Sequence, residues 1–364
     1  MNTPPEPDTD GPNARPTVDA LIVAGQRVYW IEGRPDGDTL VVWNDGHARE
    51  VLPAGTHVAS TVHEYGGGAY TVFQGEVWFV RADDQQIWRT FDGNLARVTS
   101  RPPIGEHRYG DLQISSTGLL VCVRERHERG RVVNELVAMP ADGSAHPVVI
   151  ADGAEFYSSP RTSPAGTRLA WLTWRAPLMP WDGTWLWIAD IYPDRTLGPV
   201  SLVAGGTEES VSQPRWSPQG TLHFLTDRGG WWNLHRCRDP SPVGGEPVNT
   251  ESVVIVEAEL GPAAWEFGYT SYTFLTNGQI ATTVQQGPRT WLAVTAGGAE
   301  LKRIALPYNS IKPYLAAAGN QLAIIGSNQF QAPTVALVDL DTAESAETHR
   351  ILERETCHCR YRGM

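Results

Sequence analysis

The stretch QPRWSPQGTLHFLTDRGGWWN, residues 213–233, has an echo upstream in PRTSPAGTRLAW, residues 160–171. Both carry Pro-Arg-x-Ser-Pro-x-Gly-Thr and then an alternating apolar run. Ser-Pro-x-Gly is a tight-turn signal, with proline setting the first corner and glycine supplying a positive φ. A self-similar segment at this period is the mark of stacked β units.

The same frame, apolar run then turn glycine then apolar run, occurs seven times. The glycines are Gly25, Gly75, Gly118, Gly166, Gly220, Gly278 and Gly319, and subtraction of these positions gives spacings of 41 to 58 residues. A second outer run follows each turn: TLVVW, QIWRT, ELVAMP, WLWIADI, WNLHRC, TWLAVT and TVALVDL. Short β-like tails such as EVLP, ARVTS, HPVVIA and KRIALP come next in most units. About four strands per unit with period-two alternation predicts an all-β, seven-bladed β-propeller of four-stranded antiparallel blades. A single blade leaves one apolar face open, whereas a ring of blades covers every face and leaves short edges. The sequence divides into a disordered leader at 1–18, a propeller at 19–352 and an aberrant tail at 353–364. The long segment RAPLMPWDG, residues 175–183, interrupts the fourth unit and is expected to project from one end.

Bulk composition narrows the function. The net charge of -12 argues against a nucleic-acid or anionic-membrane surface. No apolar run is long enough to span a bilayer. The acidic, Pro-rich start has no secretory h-region, and four cysteines do not make a disulfide framework, which points to a cytoplasmic protein. Cys357-His358-Cys359 does not have a zinc spacing, and no metal or other cofactor is expected.

Four segments carry a family resemblance: VHEYGGGAY (62–70), MPWDGTWLWIADI (179–191), GGTEESVSQPRWSPQGTLHFLTDRGGWWNL (205–234) and AELGPAAWEFGYTSYTF (258–274). Together they resemble the propeller of prolyl-oligopeptidase-family serine peptidases, in the acylaminoacyl-peptidase and dipeptidyl-aminopeptidase-like bacterial branch. The resemblance covers about residues 21–352. It implies an extra strand and turn where residues 21–25 run almost directly into residues 27–30, so the first blade reads as incomplete. It also implies a partner α/β-hydrolase domain that follows the propeller and carries a G-x-S-x-G nucleophile, and a short peptide as substrate. The 364 residues contain no G-x-S-x-G. No catalytic residue is therefore assigned, and the chain reads as a truncated, inactive propeller half. The alternative is a stand-alone propeller that binds a partner through one face. A lactonase-like metal propeller would need inward Glu, Asn and Asp ligands from several blades, and the sequence offers no obvious set.

The candidate binding or interdomain residues are Glu64, Tyr65, Arg124, Trp181, Asp182, Trp232, Asn233, Trp265 and Glu266. Glu64 and Tyr65 precede three glycines, which permit close backbone approach. Glu64 could meet a substrate amino terminus or serve only its own loop. Trp181, Asp182, Trp232 and Asn233 read as interface or chamber lining, against a competing role in blade packing. Arg124 could clamp a substrate carboxylate or sit in a surface charge ladder with Glu125 and Arg126. Trp265 and Glu266 could face the central tunnel, as could Glu257 and Glu259. Glu208-Glu209 could grip an ammonium as a carboxylate pair, or lie solvated in a loop.

Overall fold

The computed structural model describes residues 17–340 apart from 92, 239–247 and 298–299, together with the strand Thr348–Arg350. Seven antiparallel sheets follow one another along the chain, at 17–50, 70–97, 106–151, 156–205, 211–252, 272–304 and 310–350. They are the seven blades of a β-propeller, and no helix occurs among the described residues. The tail at 353–364, including Cys357-His358-Cys359, lies outside them, as do residues 1–16.

The first blade is complete, contrary to expectation. Its strands are Thr17–Ala24, Arg27–Gly33, Thr39–Asn44 and His47–Glu50. A bulge between Asp19 and Ile22 breaks the period-two alternation, which hides the start of the inner strand from a periodicity reading. Two residues assigned to the leader, Thr17 and Val18, belong to that strand. In the seventh blade the inner strand is itself split into Ser310–Ile311 and Ala316–Ala318, and both pieces pair with Gln321–Asn328.

All seven turn glycines lie between the first and second strands of their blades, with φ from +63° to +84°. At Gly220 an added Cβ would meet nothing within 4 Å, so this position needs glycine for its backbone angle and not for space. In a four-stranded antiparallel blade the first and third turns share one end. The second turn and the link to the next blade share the other. The glycine turns therefore mark one face of the ring, and segments 62–68, 175–183 and 261–270 belong to the opposite, loop face.

Packing follows the same periodicity. Seven apolar clusters form among the described residues, one at each junction between neighbouring blades. In the first blade Tyr29, Ile31, Leu40 and Val42 face the second, while Val28, Trp30 and Val41 face the seventh. Alternate residues of one sheet thus serve two cores. Among the described residues no strand is exchanged where the first and seventh blades meet. Apolar packing closes the ring there, with the Lys312 ammonium donating to Asp19 and to the Val18 carbonyl.

The inner strands add polar stitching near the axis. Ala20, Asp111, Ser159 and Gln213 each sit at an inner-strand bulge with φ between +51° and +54°. A bulge releases backbone groups from the ladder, and the next blade takes them up. Tyr70 Oη donates to the Ala20 carbonyl, and Tyr272 Oη donates to the Gln213 carbonyl at 2.8 Å. Asp111 accepts from the Ser159 amide at 2.6 Å and from Arg161 Nη1 at 2.8 Å.

Candidate functional site

Three loop-face segments converge on one cleft, of about 250 Å³, lined mainly by aromatic and aliphatic side chains. The first is His63–Gly68, which links blades one and two. His63, Glu64 and all three glycines have positive φ. Here the glycines are required twice over. A Cβ on Gly66 would sit 2.0 Å from the Ser60 carbonyl oxygen, one on Gly67 2.4 Å from that of Phe267, and one on Gly68 2.7 Å from Asp111 Cα. The close approach lets the Phe267 amide donate to the Gly66 carbonyl at 3.0 Å and the Leu112 amide to that of Gly68 at 3.1 Å. The glycine run thus ties the second segment, 261–270, to the first.

The third segment, 175–183, joins the second and third strands of blade four. It lays Trp181 against Trp265, with ring centroids 4.3 Å apart, and Tyr65 meets the same Trp265 edge-on at 5.9 Å. Deeper in, the His63 ring lies edge-on to Phe156, Trp174 and Phe267 at 5.1 to 5.4 Å. Burial there pulls the His63 pKa down to about 4, against the opposing pull of the Glu125 charge. His63 is neutral at pH 7 and acts as one more aromatic wall. Glu266 is the acidic member of the cleft. Burial raises its pKa above the ordinary range, opposed by a bond from Tyr314 Oη at 3.1 Å. The arrangement suits an apolar or aromatic group with a cation at its edge.

No protein-family model and no curated protein matches the chain. Solved structures do. A puromycin-hydrolysing peptidase of Mycobacterium tuberculosis is 29% identical and superposes with a TM-score of 0.83 over 96% of this chain and 56% of its own. A puromycin hydrolase is 28% identical, with a TM-score of 0.84 over 96% of this chain and 55% of its own. The chain's structural neighbours are prolyl-oligopeptidase-family peptidases, and its seven-bladed ring is consistent with their propeller domain. The chain spans little more than half the length of these relatives. A more distant structure, from a study of two prolyl endopeptidases, shares the fold at 12% identity and a TM-score of 0.67.

Within this propeller the residues singled out from sequence separate into two groups. Tyr65, Trp181, Trp265 and Glu266 line the cleft. The other five are engaged elsewhere. Glu64 is largely exposed and pairs with Arg108 at 2.8 Å, and the buried Glu125, not Glu64, accepts the His63 amide at 2.9 Å. Asp182 closes its own loop by accepting the Met179 amide at 2.9 Å. Arg124 does not reach the cleft. Its guanidinium is held by Glu135 at 2.6 and 2.7 Å across blade three, with Arg126 on the same carboxylate. Asn233 is buried and braces the segment after its strand, accepting from the Val256 amide at 2.6 Å and donating to the Ala258 carbonyl at 3.0 Å. Trp232 has a buried indole nitrogen, and its backbone amide donates to Glu259 at 2.7 Å. Glu209 is taken by Arg228 at 2.8 Å and by Thr226 Oγ1 at 2.6 Å, so Glu208-Glu209 does not present two unengaged carboxylates.

Sequence reading singled out His63 together with Glu64 and Tyr65, but it passed over Phe156, Trp174 and Tyr269 as cleft residues. Phe156 and Trp174 occupy paired positions at the ends of two blade-four strands, and their rings stack at 5.3 Å. Inner-strand ends facing the loop side are the signal that would have found them. Among the described residues no group of three His, Cys, Asp or Glu side chains could hold a metal.

Proposed function

We propose that this propeller forms the substrate-facing wall of a serine peptidase acting on short peptides, with its loop face turned toward an α/β-hydrolase domain. The carrying observation is the aromatic cleft built by segments 62–68, 175–183 and 261–270. These segments overlap three of the four stretches that carry the family resemblance. An apolar or aromatic substrate side chain would lie between Trp181, Trp265 and the His63 wall. Glu266, in the cleft lining, would meet the substrate's ammonium group. Support comes from relatives named as puromycin hydrolases and from one such hydrolase solved in complex with PGG. The buried thiol of Cys122 suits a reducing cytoplasm.

The nucleophile belongs to the partner domain in this reading, because the 364 residues lack G-x-S-x-G. Alone they should bind peptide weakly and turn none over. The test follows tryptophan fluorescence during titration with a short peptide bearing an aromatic side chain and an unblocked amino terminus. Trp265→Ala should weaken binding by roughly 30-fold, the effect of losing one aromatic anchor. N-terminal acetylation should weaken binding to the parent chain and leave Glu266→Gln little changed. Failure of both Trp265→Ala and acetylation to alter the titration would remove the reading. So would turnover by the 364-residue chain that a serine-directed reagent blocks.

A further inference from the structure

The echo between residues 160–167 and 214–221 places an arginine at one equivalent position in two neighbouring blades. Arg161 and Arg215 each stand five residues before their turn glycines, 166 − 161 and 220 − 215. Both line a second cavity, of about 370 Å³, bounded by inner-strand ends and glycine-face turns of blades three to five. Gln213 and Tyr269 line this cavity and the aromatic cleft alike, so the two adjoin.

The two arginines differ in their partners. Arg161 Nη1 donates to Asp111 at 2.8 Å. Arg215 has no carboxylate partner among the described residues. Its Nη1 donates to the Tyr272 carbonyl at 3.1 Å, and its guanidinium carbon stands 6.0 Å from the Tyr272 ring centre. Burial, with the Arg161 charge adding to it, pulls the Arg215 pKa below the usual arginine value. The side chain keeps some accessible surface of its own, and it lines the cavity. A guanidinium offers five N–H donors, and a charge withdrawn from water without a counter-ion is destabilising. Two further groups in the lining lack partners. Thr162 Oγ1 and Thr270 Oγ1 are buried and make no hydrogen bond. Each such orphan calls for an explanation.

We propose that this cavity is a binding site for a small oxyanion, a carboxylate or phosphate group, held by Arg215 beside Arg161 with the Thr162 and Thr270 hydroxyls as further donors. Asp111, Arg161 and Arg215 sum to one positive charge, which favours a singly charged group. The ligand is either an inorganic ion or the terminal carboxylate of a peptide.

Calorimetric titration of the full chain at fixed ionic strength tests this with three probes: inorganic phosphate, triglycine as the acid and triglycine amide. Triglycine and its amide have no side chain for the aromatic cleft and share the ammonium that Glu266 would meet, so the difference between them reports on the carboxylate alone and is independent of the peptidase reading. Saturable binding of phosphate but of neither peptide assigns the site to an inorganic ion. Binding of the acid and not the amide assigns it to a peptide terminus. Binding of none of the three overturns the proposal. Thr162→Val removes a hydroxyl that has no partner in the protein, so it should fold and weaken binding roughly tenfold. Arg215→Met should abolish binding. Unchanged affinity in Thr162→Val, and in Arg215→Met where that variant folds, also overturns the proposal.

Discussion

Replacing Gly67 with alanine should cost far more stability than the same change at Gly220, although both residues have nearly the same backbone angle, +86° and +84°. At Gly220 the new methyl would enter open space. The cost is then the left-handed conformation alone, about 1–2 kcal/mol. At Gly67 the methyl would sit 2.4 Å from the Phe267 oxygen and 2.6 Å from the Phe267 nitrogen, and neither backbone atom can move independently. Segments 66–68 and 266–268 must part. The bond from the Phe267 amide to the Gly66 carbonyl is then lost, leaving a partly buried donor and acceptor at about 1–3 kcal/mol. With the same backbone strain, the total reaches about 2–5 kcal/mol. Urea unfolding of both variants measures the difference, with midpoints compared at equal slope. Native-state tryptophan emission should also change for Gly67→Ala, since Trp265 rides on the displaced segment, and not for Gly220→Ala. A gap below about 1 kcal/mol would refute the close-approach argument.

Acid should destabilise the ring through three buried histidines. His63, His223 and His235 each have a pKa near 4, lowered chiefly by burial, against the ordinary 6.5. The unfolded chain takes up these protons between pH 6.5 and 4 while the native one does not. Stability is therefore full above pH 6.5 and falls through that window, by at most about 3 kcal/mol per histidine. A urea midpoint that stays flat from pH 7 to pH 5 would contradict this. Asp111→Ala should cost about 3–5 kcal/mol, because it leaves Arg161 and the Ser159 amide without their partner, and thermal melts would show it. Tyr272→Phe should cost about 1–3 kcal/mol by exposing the Gln213 bulge carbonyl as an unmet acceptor. Tyr70→Phe, which loses the same device one junction from the chain start, should match it within about 1 kcal/mol in the same melts.

The turn glycines made the fold legible because each combines a special backbone angle with a fixed place between two alternating runs. The inner strands were harder to read. Bulges at Ala20, Asp111, Ser159 and Gln213 shift the alternation by a residue, and the first blade looked short for that reason. The cleft was half legible. Tyr65, Trp181, Trp265 and Glu266 sit in composition-rich loops that drew attention by themselves. Phe156 and Trp174 join them only through the ring geometry, and no local pattern marks a residue whose partner, here His63, comes from a distant part of the ring. Arg124 misled because local spacing shows a charge without showing its cross-strand partner, Glu135. Arg161 and Arg215 were in view from the start, in the repeated Pro-Arg, yet a repeat reports equivalence and not which side chains lack a counter-ion.

The seam between the first and seventh blades has a consequence for cooperativity. A row of seven modules laid end to end would have six shared boundaries, and its outermost modules would fray first. Bending the row until its ends touch creates a seventh boundary from surfaces that both end modules already possess. No terminal module remains to fray, so loss of any one blade uncovers two of its neighbours' cores at once. The apolar faces of Val18, Leu21 and Trp30 on one side and Ile325 and Val335 on the other thus turn a nearest-neighbour array into a unit that should melt in one step.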